Sequence, residues 1–130
     1  MVDFCTRRAA ALPDAVAPDG SAVRLLCATP RGSMALFTLA PGMVSRAVAH
    51  RTVEEIWYFT RGSGRMWRQN ETGQEIVEIG PGVSIAIPAG TRFQFRADGE
   101  EPIEAVGVTM PPWPGIDEAY VVEGIWPVTV

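Results

Sequence analysis

The sequence contains no lysine, and all 11 of its basic residues are arginine. It has one histidine, His50, and two cysteines, Cys5 and Cys27. Each scarcity excludes something. A single imidazole rules out, within one chain, a zinc or iron site built from several histidines. Two cysteines do not make a disulfide framework. No apolar run approaches the ~20 residues that cross a bilayer, so no membrane partner is expected. Met1–Ala11 carries an acid and two arginines but lacks the apolar stretch of a secretory signal. The expected location is the cytoplasm, with both thiols reduced. Net charge is −4, which argues against nucleic acid as a partner. The absence of lysine reads as codon bias in a GC-rich genome. Reading it as a set of bidentate anion contacts would require the arginines to converge.

What remains is an ordinary globular composition, 47% hydrophobic and 20% charged over 130 residues. That length supports one core without staples or a structural metal. Gly 13 and Pro 11 supply many turns. Nine short β-type runs alternate with these turns: Val23–Thr29, Met34–Leu39, Val44–His50, Glu55–Thr60, Arg65–Gln69, Glu75–Ile79, Val83–Ile87, Arg92–Arg96 and Ile103–Met110. Such punctuation predicts an all-β sandwich or barrel. Residues 1–20 read as an N-terminal extension, 21–110 as the barrel and 111–130 as a C-terminal arm. Pro111-Pro112-Trp113-Pro114-Gly115 cannot form a central strand, because proline lacks the ladder donor. Trp113 and Trp126 read as anchors of that arm, which needs either the barrel's flank or a second subunit to lie on.

Two segments carry a resemblance. Gly42 is followed by five residues, then Val48, Ala49 and His50; four residues separate His50 from Glu55, and six separate Glu55 from Gly62. Gly82 is followed by five residues, then Pro88-Ala89-Gly90; two more lead to Phe93 and three more to Ala97. These spacings resemble the two motifs of the cupin family, over roughly residues 34–110. The resemblance implies a double-stranded β-helix, a jelly-roll barrel, in a protein that often forms dimers. It also implies where a divalent metal is usually held. The matching positions here are Val48, His50, Glu55 and Phe93, and two of the four are hydrocarbon. The expectation is therefore no metal cofactor, the weaker alternative being a divalent ion held by His50 and Glu55 alone.

Strand alternation puts Val48 and His50 on one face, Glu55, Trp57 and Phe59 on one face, and Phe93 and Phe95 on one face. The family places those faces inside the barrel. The expected interior is apolar and aromatic with one imidazole and one carboxyl group, as in many small-molecule sites. A buried carboxylate costs several kcal/mol unless paired. Glu55 must pair with His50 or with an arginine such as Arg46, take up a proton, or sit at a wetter mouth. The candidate catalytic residues are thus His50 and Glu55. The candidate ligand-binding residues are Arg46, Val48, Trp57, Phe59, Phe93 and Phe95. The leading expectation is a homodimer that binds a small molecule. The alternative is an isomerase, cyclase or lyase using His50 and Glu55 as acid and base.

Overall fold

A computed structural model describes residues 4–130. Among the described residues the strands are β1 (Ala15–Val16), β2 (Ala22–Thr29), β3 (Gly32–Leu39), β4 (Val48–His50), β5 (Glu54–Arg61), β6 (Gly64–Asn70), β7 (Gly73–Ile79), β8 (Ser84–Ile87), β9 (Arg92–Ala97), β10 (Ile103–Met110) and β11 (Ala119–Val121). They form two sheets, in the orders β1-β2-β3-β10-β5-β8 and β11-β4-β9-β6-β7. The pairings are antiparallel. This is the expected all-β jelly roll.

The period-two pattern places the core. In β5, Glu55, Trp57 and Phe59 are buried while Glu54, Ile56 and Tyr58 are exposed. In β10, alternate residues from Ile103 to Thr109 are buried. The inward side chains of both sheets meet in one apolar cluster that includes Leu39, Trp57, Phe59, Phe93, Phe95 and Ile103. Burying each of these large side chains contributes about 1.5–3 kcal/mol.

Three differences from the expected strands have local causes. The run expected over Val44–His50 is regular only from Val48. At Ser45 the hydroxyl, rather than a main-chain carbonyl, accepts the Phe95 N–H at 3.0 Å, and the ladder is interrupted there. β1 is only two residues long, too short for a hydrophobic period to register. β11 follows the proline run and a 3-10 turn, Ile116–Glu118, and pairs with β4.

The arm lies on its own barrel. Gln94 faces away from the core on β9 and binds four main-chain groups: its Nε2 donates to the Ser45 and Trp126 carbonyls, and its Oε1 accepts from Ile125 and Trp126. The Arg96 guanidinium stands 4.7 Å from the Trp126 ring centroid.

The cysteines correct an expectation. Cys5 and Cys27 form a disulfide and are not two reduced thiols. Their separation of 22 residues hides the pairing in the sequence, because the fold and no local pattern brings the N-terminal extension against β2. The bridge ties the N-terminal extension to β2, where Arg24 also donates to the Ala10 and Ala11 carbonyls.

Candidate functional site

His50 is the last residue of β4, and its carbonyl accepts the Gly90 N–H at 2.8 Å. Gly90 has φ 79°, a left-handed conformation that favours glycine. The turn of the second motif is thereby fixed to the strand end of the first. Glu55 lies one residue into β5, across a short loop. That loop is held by Glu118, whose carboxylate accepts from the N–H groups of Thr52 and Val53 and from the Thr52 hydroxyl. Burial works against the charged form of Glu118. The backbone bonds from Thr52 and Val53 and the hydroxyl bond from Thr52 outweigh it, so its pKa falls below the ordinary value.

The loop brings His50 Nδ1 and Glu55 Oε2 to 3.0 Å, with both side chains buried. The imidazole N–H direction does not point at the carboxyl oxygen, so this is a close polar contact and not an aligned hydrogen bond. Glu55 Oε1 accepts from Trp57 Nε1 at 3.3 Å. The His50 ring meets Phe93 edge-on at 5.3 Å and Trp113 edge-on at 5.1 Å.

These groups open on a cavity of about 470 Å³ between the sheets. Of the eight residues singled out from the sequence, Val48, His50, Glu55, Trp57 and Phe93 line it. Phe59 and Phe95 do not. They are fully buried behind Trp57, with ring centroids 6.0 and 5.3 Å from it, and they support the wall. Arg46 also lies off the lining and makes no ion pair with Glu55 among the described residues, so His50 is the partner Glu55 finds. Arg46 instead donates its amide N–H to the Asp19 carbonyl.

Several lining residues escape the sequence reading. Phe37 stacks on Trp57 at 4.9 Å. Gly107 permits this, because a Cβ there would collide with the Phe37 ring. Trp113 is a cavity residue as well as an arm residue. Its N–H donates to Ser33 Oγ at 3.1 Å, and Ser33 and Thr109 hydroxyls are themselves in contact. Arg7 reaches the lining from the N-terminal extension. Asp19 is 4% exposed and lines the cavity. Burial raises its pKa above the ordinary value; the bonds from Ser21 and the nearby His50 oppose the rise, and Glu55 adds to it. The only available signal was an acid between two short strands, a pattern that also describes most surface turns.

The donor set does not fit the divalent ion implied by the resemblance. Val48 and Phe93 are Cα partners across β4 and β9, both fully buried, and their hydrocarbon occupies two of the four ligand positions. Cys5 and Cys27 are bonded to each other and cannot replace them. Among the described residues, no three His, Cys, Asp or Glu side chains form a group able to hold a metal.

Comparison with known proteins agrees with this architecture. The chain superposes on oxalate decarboxylase from Bacillus subtilis with TM-score 0.71 and 20% identity, covering 82% of this chain and 29% of that one. It superposes on KdgF from Halomonas sp. with TM-score 0.65 and 17% identity, over 78% and 86% of the two chains. An uncharacterized conserved protein with a double-stranded beta-helix domain from Klebsiella pneumoniae gives TM-score 0.67 and 17% identity, over 84% and 91%. At these identities the likeness shows the fold alone. No curated protein sequence is significantly similar to the chain. No helix among the described residues is long and apolar enough to cross a membrane. A family model described as a cupin domain matches residues 35–109, more than half of the chain, and with both motif spacings and the barrel in place, the chain belongs to the cupin family.

Proposed function

We propose that this cupin binds a small, largely apolar molecule between its sheets. One observation carries the reading: a cavity of about 470 Å³, walled by Trp57, Phe37, Phe93 and Val48, holds a buried His50–Glu55 couple. Pockets for small ligands are typically about 300–1,000 Å³, with mostly apolar walls and a few placed polar groups. Thermal-shift screening against aromatic and apolar metabolites tests the proposal, with His50→Ala and Glu55→Gln run beside the parent. A bound ligand raises Tm in the parent and raises it less in both variants. If no compound of this class shifts the parent, the reading is wrong.

The contact between His50 and Glu55 favours a second reading, in which the couple passes a proton to and from the bound molecule, as in an isomerase, cyclase or lyase. Acid–base groups must lie within reach of each other and of the substrate, and this couple shares one wall with the cavity. Turnover of a ligand found by the screen, lost in Glu55→Gln with binding retained, would separate catalysis from binding alone.

The proposal includes a homodimer, in a compartment that lets the Cys5–Cys27 bridge persist. Ile56 and Tyr58, 50% and 51% exposed on the outer face of β5, support self-association. The Cys5–Cys27 bridge weighs against a reducing compartment. Light scattering tests the first part, and thiol trapping in fresh cell extract tests the second.

A further inference from the structure

Asp19 is a buried acid with half of its carboxyl group uncommitted. Oδ1 accepts two hydrogen bonds from Ser21, one from its N–H at 2.8 Å and one from its hydroxyl at 2.7 Å. Oδ2 has no hydrogen-bond partner among the described residues, although the side chain is 4% exposed and lines the cavity. The charged and titratable groups around it are His50, Glu55 and Arg7 on the same cavity, with Arg46 joined to it through the main chain. None of these forms an ion pair with it. Burial without an ion-paired cation makes a carboxyl group hold its proton to higher pH. With Oδ1 saturated by two donors, that proton belongs on Oδ2, and the group becomes a hydrogen-bond donor.

We infer that Asp19 donates a hydrogen bond from Oδ2 into the cavity, and that the ligand carries a neutral oxygen acceptor, such as a carbonyl, ether or hydroxyl, on its apolar body. The inference rests on the cavity-binding reading above. Ser21 fixes the carboxyl orientation, and the apolar wall formed by Trp57, Phe37 and Phe93 receives the rest of the molecule. An anionic acceptor is disfavoured here because the apolar walls of Trp57, Phe37 and Phe93 would strip water from its charge.

Two probes of nearly equal shape test this. 2-Acetylnaphthalene carries a carbonyl, and 2-ethylnaphthalene does not. Both are titrated into the parent, Asp19→Asn and Asp19→Ala, followed by tryptophan fluorescence, from about pH 4 to about pH 9. In the parent at low pH the acetyl probe binds about threefold to tenfold tighter than the ethyl probe, the worth of one hydrogen bond. That preference declines as pH rises and the donor is lost. In Asp19→Asn the amide oxygen keeps the Ser21 bonds and the amide nitrogen takes the place of Oδ2, so the preference persists without the decline. In Asp19→Ala it disappears at every pH.

Equal affinities in the parent at low pH would overturn the inference while ethyl-probe binding upholds the cavity. A pH dependence that survives in Asp19→Asn would belong to His50 or Glu55 and would also overturn it. Failure of both probes to bind the parent would overturn the cavity reading and this inference together.

Discussion

Val48 and Phe93 stand opposite each other across β4 and β9, each 1% exposed, and both border the cavity beside His50 and Glu55. Their register makes a four-ligand metal site buildable here. The double variant Val48→His with Phe93→His presents three imidazoles and one carboxyl group to the same space. It should bind about one divalent ion per chain, whereas the single variants and the parent bind more weakly. Elemental analysis and the visible spectrum of added cobalt read this directly. A double variant no better than the parent would show that these four side chains do not converge.

Gly107 sits between β3 and β5, its Cα paired with Ala35 and Trp57. A methyl group there would be driven into Phe37, which stacks on Trp57. Gly107→Ala should cost about 1–3 kcal/mol through overpacking. Adding Phe37→Leu should recover part of that loss while weakening apolar-probe binding. Urea denaturation of the two variants checks the coupling; strictly additive costs would mean the rings are not held by this glycine.

Glu118 gives the fold an acid sensitivity with a definite sign. Its folded pKa lies below the ordinary 4.5, so its contribution is present above that value and is lost as pH falls through the folded pKa. Glu118→Gln removes the charge and one of the two carboxylate oxygens that accept from the β4–β5 loop. The variant should be less stable at neutral pH by about 1–2 kcal/mol and should show a shallower decline on acidification. Asp19 acts in the opposite direction: its raised pKa contributes stability at low pH that is lost as pH rises. Denaturant midpoints across a pH series distinguish the two, and parallel curves for parent and Glu118→Gln would remove Glu118 from the account.

Gln94 binds the arm through four main-chain groups, so its truncation leaves several buried groups unpaired. Gln94→Ala should destabilise the protein by about 2–4 kcal/mol and expose residues 122–128 to protease before the barrel unfolds. Glutamate at the same position turns a buried carboxyl oxygen on the Ser45 and Trp126 carbonyls, and should destabilise at neutral pH at least as much as alanine. Protection of the arm equal to that of the parent would contradict the arrangement.

The barrel was legible because each inward face follows a period of two between strong turn formers. Glu55, Trp57 and Phe59 on β5 and Phe93 and Phe95 on β9 are assigned by parity alone. His50 and Glu55 were legible from their spacing within the first motif. The depth of each side chain was not. Phe59 and Phe95 share a face with cavity residues but lie behind them, because parity gives the side of a strand and not the distance from the hollow. Arg46 lies beyond the regular part of β4, where parity no longer applies. Asp19, Arg7 and Trp113 come from outside the motifs. Their positions depend on pairings over long sequence separations, including the Cys5–Cys27 bridge and the Trp113–Ser33 hydrogen bond, and no local pattern encodes those.

The matched span, residues 35–109, contains the imidazole and the glutamate but excludes the cavity-lining Val23, Leu25, Leu26 and Ala28 of β2 as well as Arg7, Asp19, Pro112 and Trp113. A minimal fragment trimmed to that span would keep one side of the hollow and lose the β2 side together with both flanking segments. Its hollow would be an open dish, flooded by solvent, and any selectivity it retained would report on the walls alone.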